Sequence, residues 1–451
     1  VLPVVRLSLP RAVAHPVRLL PLTFLVLIFV GTLLLLLPFA RAGEDNPSFM
    51  AAFFTSTSAV TVTGLATVDT ATYWTPAGQG IILALVEIGG LGIVALATLL
   101  GVFIGGRLGL RTRLVAQADF HVPTLGEVRP LFARIAITMV LFQLVTWVAL
   151  TLRLRAEYFD SWGQSLWHGL FYAVMAFNNA GFALETDSLV GYAGDGLIIL
   201  PVSIAVFVGA MGFPVLSELW SRWRAPATWT IHTRLTVWGS IGLLVIAVVL
   251  FMAVEWNNDG TLGELPFWHR VVTGIEAGVM PRSGGFNSFD WGEVRPESLD
   301  VATVMMFIGG GSASTAGGIK VTTFLLLAYV IMAELRGDPD VTVGRRSISS
   351  ATIRQAVTIA LLAVMLVITS TWLVLTMTGL GYGEVLFECT SAFATVGLST
   401  GITPDLPWNA QMVLIVLMFI GRVGTITAAS AFVVRNRVRR YTLPEERPII
   451  G

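Results

Sequence analysis

Four short stretches each set backbone carbonyls beside a glycine. They are Thr61, Val62, Thr63 and Gly64; Asn178, Asn179, Ala180 and Gly181; Arg282, Ser283, Gly284 and Gly285; and Ala394, Thr395, Val396 and Gly397. Leu65, Phe182, Phe286 and Leu398 follow the four glycines. Counted from Gly64 to Gly181, Gly285 and Gly397, the spacings are 117, 104 and 112 residues, so one unit recurs four times. Such residues offer no catalysis. Four turns around one axis can stack carbonyls into rings that replace the hydration shell of a bare cation. Glycine adopts the left-handed dihedrals that aim a carbonyl inward without steric cost. The residues of the four turns are therefore expected to form a potassium-selective pore.

A second glycine motif keeps step with the first. Ile88-Gly-Gly-Leu-Gly92, Val208-Gly-Ala-Met-Gly212, Ile308-Gly-Gly-Gly-Ser312 and Ile420-Gly-Arg-Val-Gly424 begin 24, 27, 23 and 23 residues after their turn glycines. In the third unit it opens a run of small residues: Gly309, Gly310, Gly311, Ser312, Ala313, Ser314, Thr315, Ala316, Gly317 and Gly318. Each interior glycine costs a helix nearly 1 kcal/mol against alanine, so this run predicts an irregular loop at membrane depth, lining a water-filled path. Below a cation filter such a loop would be a movable barrier. The rival is close helix packing through small residues, which suits the other three units better than this one.

Arg422 stands where the other units have Gly90, Ala210 and Gly310. A mid-membrane arginine costs roughly 2.5–3.5 kcal/mol on insertion scales, so a polar cavity or partner must receive it. It is expected to hydrogen-bond the carbonyls of the loop and oppose a resident cation. The alternative is a structural ion pair with Glu87. Glu276 and Glu388 share a register nine residues before their glycines, and are expected to brace the backs of their helices.

The elements that must position these residues follow from composition. At 55% hydrophobic and 12% charged, the chain is far more apolar than a soluble domain, whose charged share is about 25%. Apolar bands at 19–38, 79–104, 131–152, 195–220, 235–254, 300–333, 353–379 and 410–434 are long enough to cross a bilayer. Shorter stretches at 48–60, 162–177, 266–279 and 384–394 each lead to a glycine turn and read as re-entrant helices. The expected fold is an all-α integral membrane protein of four units, each span, pore helix, turn and span, in pseudo-fourfold arrangement. The units are 1–110, 111–226, 227–345 with the loop 309–318, and 346–451. Residues 1–42 have features of a secretory signal, but the apolar run exceeds the roughly 7–15 residues of such a segment. It is taken as a span.

Charge sets the orientation. Arginines such as Arg107, Arg111, Arg222, Arg336, Arg437 and Arg440 fall on one side of the spans, and acids such as Asp69, Asp187, Glu293 and Asp405 on the other. The positive-inside rule puts the arginines and both termini in the cytoplasm and the turns toward the outer side. Cys389 is the single cysteine, and the five histidines lack ligand spacing. No nucleophile elbow, phosphate loop or carboxylate dyad is present, so the chain is not expected to be an enzyme.

These motifs give the chain a resemblance to the Trk/Ktr/HKT superfamily of potassium transporters along essentially its whole length. The pieces that carry it are Ser58-Ala-Val-Thr-Val-Thr-Gly-Leu65, Phe177-Asn-Asn-Ala-Gly-Phe182, the run Gly309–Lys320 and Met418-Phe-Ile-Gly-Arg-Val-Gly424. Within it the chain is most similar to the membrane subunits of bacterial Ktr uptake systems. Sodium-selective plant relatives carry serine at the first turn glycine, where this chain has Gly64. The resemblance implies homodimers in the cytoplasmic membrane with one pore per subunit, docked on a cytoplasmic ring of nucleotide-binding RCK-type regulatory subunits. It implies K+ as the transported ion, Na+ as a candidate activator, no covalent cofactor, contact with membrane lipid and no nucleic acid. The side chain of Arg282 is expected to point back into the protein. A different class, a cation-coupled carrier of a small organic solute, would show two halves, often inverted, rather than four units of one topology.

Overall fold

The computed structural model describes residues 16–43, 46–91, 128–344 and 346–434, and its regular structure is almost entirely helical. Helix α1 (Pro16–Leu35) is followed by the short α2 (Phe49–Thr61) and by α3 (Pro76–Leu91). The order recurs as α4 (Val128–Glu157), α5 (Trp162–Asn178) and α6 (Gly196–Met211), the last continued by α7 (Phe213–Arg222). It recurs again as α8 (Ile231–Glu255), α9 (Phe267–Val279), α10 (Pro296–Phe307) and α11 (Val321–Arg336). The last round is α12 (Ser350–Thr378), α13 (Tyr382–Ala394) and α14 (Trp408–Val434). A two-residue antiparallel ladder, Thr342–Val343 with Arg346–Ser347, is the one sheet among the described residues.

The short helices are the centre of the molecule. Phe54 of α2, Phe171 and Phe177 of α5 and Phe387 of α13 are fully buried. Each short helix packs on the helix before it in its own round, and also on the helix that follows the short helix of the preceding round. Thus α5 touches α3, α9 touches α6, α13 touches α10, and α2 reaches round to α14. The contact order therefore closes on itself.

The long helices turn apolar faces outward. On α12, Leu361, Met365, Ile368 and Trp372 are exposed, at steps of four, three and four that keep them on one helix face. Hydrocarbon tails are as apolar as these side chains. Among the described residues Ala133–Glu157, Ile231–Glu255 and Ser350–Thr378 are long and apolar enough to cross a membrane, and α6 with α7 makes a fourth if taken as one bent span.

Two of the expected spans differ from straight helices, and one lies partly outside the described residues. The band 195–220 bends by 100° between Met211 and Phe213. Gly212 there has φ +95, and Pro214 follows at the second position of α7, where it has no N–H to give. The band 300–333 is broken between Phe307 and Val321, as the small-residue run predicts. The second half of the band 79–104, the unit boundary at 110, and Arg107, Arg111, Arg437 and Arg440 lie outside the described residues.

Candidate ion-conduction site

All four short-helix ends carry a non-glycine residue in the left-handed region, two places before the turn glycine. These are Val62 (φ 58), Asn179 (φ 63), Ser283 (φ 102) and Thr395 (φ 48). Their amides donate to Ala59, Ala176, Met280 and Ala392, at 3.1, 3.1, 3.1 and 3.2 Å. The next amides donate back to Ser58, Met175, Met280 and Ser391, at 2.8–2.9 Å. Such a left-handed cap satisfies the carbonyls that a helix end leaves over and reverses the chain. The third turn differs: α9 ends at Val279, and a single 3₁₀ turn, Met280–Arg282, precedes Ser283. A left-handed valine or threonine is held only where its surroundings over-determine it, and Val62, Asn179, Ser283 and Thr395 are fully buried.

The glycines then close a ring. Gly64, Gly285 and Gly397 have φ of +97, +71 and +96. A Cβ on Gly64 would overlap the backbone of Gly181, and one on Gly181 the backbone of Gly285. One on Gly285 would overlap the carbonyl of Val396, and one on Gly397 the carbonyl of Thr63. The turns thus meet edge to edge in chain order and return to the first. Two glycine amides are held from behind: Gly64 donates to Ser58 Oγ at 3.0 Å and Gly397 to Ser391 Oγ at 3.2 Å.

The second glycine motif has a steric cause. A Cβ on Gly89, Gly209 or Gly421 would overlap the carbonyl of Val60, Phe177 or Phe393, each four residues before its own turn glycine. The helix after the turn crosses the short helix before it backbone to backbone, so the two motifs must keep step. In the third round the equivalent Gly309 meets Gly317 of the loop instead. Gly421→Ala is expected to lower the melting temperature of the purified protein, since forcing one extra methyl into a packed site costs about 1–3 kcal/mol. A melting temperature equal to wild type would remove this cause for the second motif.

Glu276, Glu388 and Arg282 are buried, and each has a polar neighbour for part of its side chain. Glu276 accepts from Ser288 Oγ at 2.7 Å, and Glu388 accepts from the Thr403 hydroxyl. Both carboxyl groups clasp the segment that leaves the turn to the short helix. Arg282 points away from the ring: it donates to the Ser240 carbonyl at 2.8 Å, to Ser240 Oγ at 3.3 Å and to the Gly309 carbonyl at 3.4 Å.

Residues 308–320 form an irregular loop between α10 and α11, tied at its neck. Ile308 and Ile319 pair as a parallel bridge, and Ile319 N–H donates to Phe307 at 3.1 Å. Ala313 and Gly318 take positive φ, +54 and +69. The loop reaches neighbours on both sides. Gly311 N–H donates to Ala210 at 2.8 Å, and Phe213 N–H donates to Ala313 at 3.1 Å. On the other flank a Cβ on Gly317 would overlap Thr395 Oγ1 and the Ala394 carbonyl. Lys320 Nζ folds back onto the Ala316 carbonyl at 2.7 Å.

Arg422 is buried and bridges the loop to the first round. It donates to the Thr315 carbonyl, and its second nitrogen donates to the Gly89 carbonyl at 3.0 Å. Glu87 accepts from Gln143 Nε2 at 2.9 Å and from Asn178 Nδ2 at 2.7 Å.

The sixteen turn residues and the ten loop residues are thus brought to one place, with Arg422 against the loop. Sequence reasoning missed the left-handed positions, because Val62, Asn179, Ser283 and Thr395 share no chemistry. It also missed the amide partners of Glu87. It could have found the bend at Gly212 from Gly212-Phe-Pro214.

The chain matches the family described as "Cation transport protein" (TrkH) over residues 4–440. It is 37% identical over 417 residues to the Ktr system potassium uptake protein B of Bacillus subtilis (strain 168), covering 92% of this chain and 93% of that one. It is 34% identical over 443 residues to the potassium/sodium uptake protein NtpJ of Enterococcus hirae, covering 97% of each. The crystal structure of the potassium transporter TrkH from Vibrio parahaemolyticus has the same fold, with a TM-score of 0.71 at 19% identity over 96% of this chain and 86% of that one. The expected Trk/Ktr relationship holds: the chain belongs to the TrkH family of cation transport proteins.

Proposed function

We propose that this chain takes up potassium through a channel-like pore in the cytoplasmic membrane, each subunit folded as four pseudo-fourfold units. The observation that carries the reading is the closure of the four glycine turns into one ring. Thr61–Gly64, Asn178–Gly181, Arg282–Gly285 and Ala394–Gly397 would line it with carbonyls. Each pore helix ends at a turn, and a helix C-terminus bears roughly half a negative charge, so four ends together favour a cation. Residues 309–318 act as the gate beneath this ring, and Arg422 holds them there while opposing a resident cation.

The arginine distribution supports both termini in the cytoplasm. The relative named as a Ktr system protein supports a partner within such a system, and the family resemblance suggests that the partner is a cytoplasmic nucleotide-binding regulatory ring and that the chain assembles as a homodimer. Na+ is an activator candidate because the Enterococcus hirae relative is named for potassium and sodium together.

Expression in a strain lacking its own potassium uptake is expected to restore growth in low-potassium medium when a matching regulatory subunit is supplied. Membrane-inserted protein that leaves growth at the empty-vector level, with that subunit present, would sink the reading.

A further inference from the structure

One hydroxyl joins the loop to the second turn. Thr315 Oγ1 donates to Asn179 Oδ1 at 2.5 Å and lies 3.4 Å from the Phe177 carbonyl. Asn179 is the left-handed residue of that turn, and both side chains are fully buried. The other end of the amide is fixed as well: Asn179 Nδ2 donates to the Val206 carbonyl at 3.1 Å. Because that acceptor demands the nitrogen, the oxygen faces Thr315, whose hydroxyl proton it requires. Gly209 keeps the space open, since a Cβ there would lie against Asn179 Oδ1.

The backbone of the same residue is the handle for Arg422, which donates to the Thr315 carbonyl. A continuous line therefore runs from Arg422 through Thr315 to Asn179. Similar seating recurs on the other flank, where Gly317 lies against Thr395, the left-handed residue of the fourth turn.

We infer that Thr315 is a positioning residue for the second turn, so that ion selectivity depends on where the loop sits. This rests on the pore reading above. When the loop is seated, the hydroxyl completes the clamp on the Asn179 side chain, and the Asn179 carbonyl keeps its direction. When the loop leaves, Asn179 Oδ1 loses its donor in a buried site, where an unsatisfied acceptor is costly. The turn then relaxes toward other dihedrals.

The test is the ratio of potassium to sodium uptake by full-length purified protein in vesicles. Thr315→Val keeps the volume and removes the hydroxyl, and is expected to lower the ratio about fivefold, the factor carried by one net buried hydrogen bond. Thr315→Ser restores the donor and is expected to bring the ratio back toward wild type. Should the valine variant not fold, Arg422→Ala reads the same line, raising flux and lowering the ratio together. A ratio unchanged in Thr315→Val, or flux raised at constant ratio in Arg422→Ala, overturns the inference while leaving the pore reading intact. A wild-type protein without potassium preference overturns both.

Discussion

Removing residues 310–317 is expected to raise basal potassium flux about tenfold, the effect of lowering a barrier by about 1.4 kcal/mol, and to weaken control by a cytoplasmic regulator. The cut can close without moving the helices. Gly309 and Gly318 are neighbours in space, and the Ile308–Ile319 bridge lies just outside the deletion. What goes is the part that contacts Ala210, Asn179 and Arg422. Vesicle flux with and without the regulatory subunit measures the change. Arg422→Ala should move flux in the same direction by a smaller amount, since it removes one anchor and one opposing charge and leaves the loop in place. A folded deletion protein whose flux drops to background would make the segment packing structure rather than a gate.

Gly64→Ser is expected to collapse potassium preference over sodium, by about tenfold or more, with expression retained. Two effects act together at this position. The backbone sits at φ +97, where a side chain is strained by about 1–2 kcal/mol. The added Cβ also overlaps the backbone of Gly181, so the first and second turns must separate. A ring that widens on one side no longer matches the shell it replaces. Competitive uptake of the two ions into vesicles reads the ratio, and an unchanged ratio would remove Gly64 from the site.

Much of this was legible because repetition makes weak signals strong. A single glycine after an apolar stretch is an ordinary helix end. Gly64, Gly181, Gly285 and Gly397 at matching distances from Gly89, Gly209, Gly309 and Gly421 specify a unit, and packing explains the match: one glycine lets the turns meet, the other lets two backbones cross. The loop was legible because a run such as Gly309–Gly318 is poorly suited to a regular helix. The left-handed conformation of Val62, Asn179, Ser283 and Thr395 was not. Those residues have different intrinsic preferences, and the conformation is imposed by the cap with which each short helix reverses into its turn. The partners of Glu87 were hidden for a related reason. Gln143 and Asn178 lie 56 and 91 residues away, and only the packing of α5 against α3 and of α4 against α5 brings them together. The bend at Gly212 was visible in the glycine and proline, but the apolar band ran through both.

The most direct test of the central claim extends the serine substitution around the ring. Gly181→Ser, Gly285→Ser and Gly397→Ser each put a side chain against the next turn, at Gly285, Val396 and Thr63. The quantity to measure is the potassium-to-sodium uptake ratio of each purified, folded variant in vesicles beside wild type. One pore lined by all four turns predicts a fall in every variant, whichever unit carries the change. A wild-type ratio in any one of them would contradict the four-turn ring.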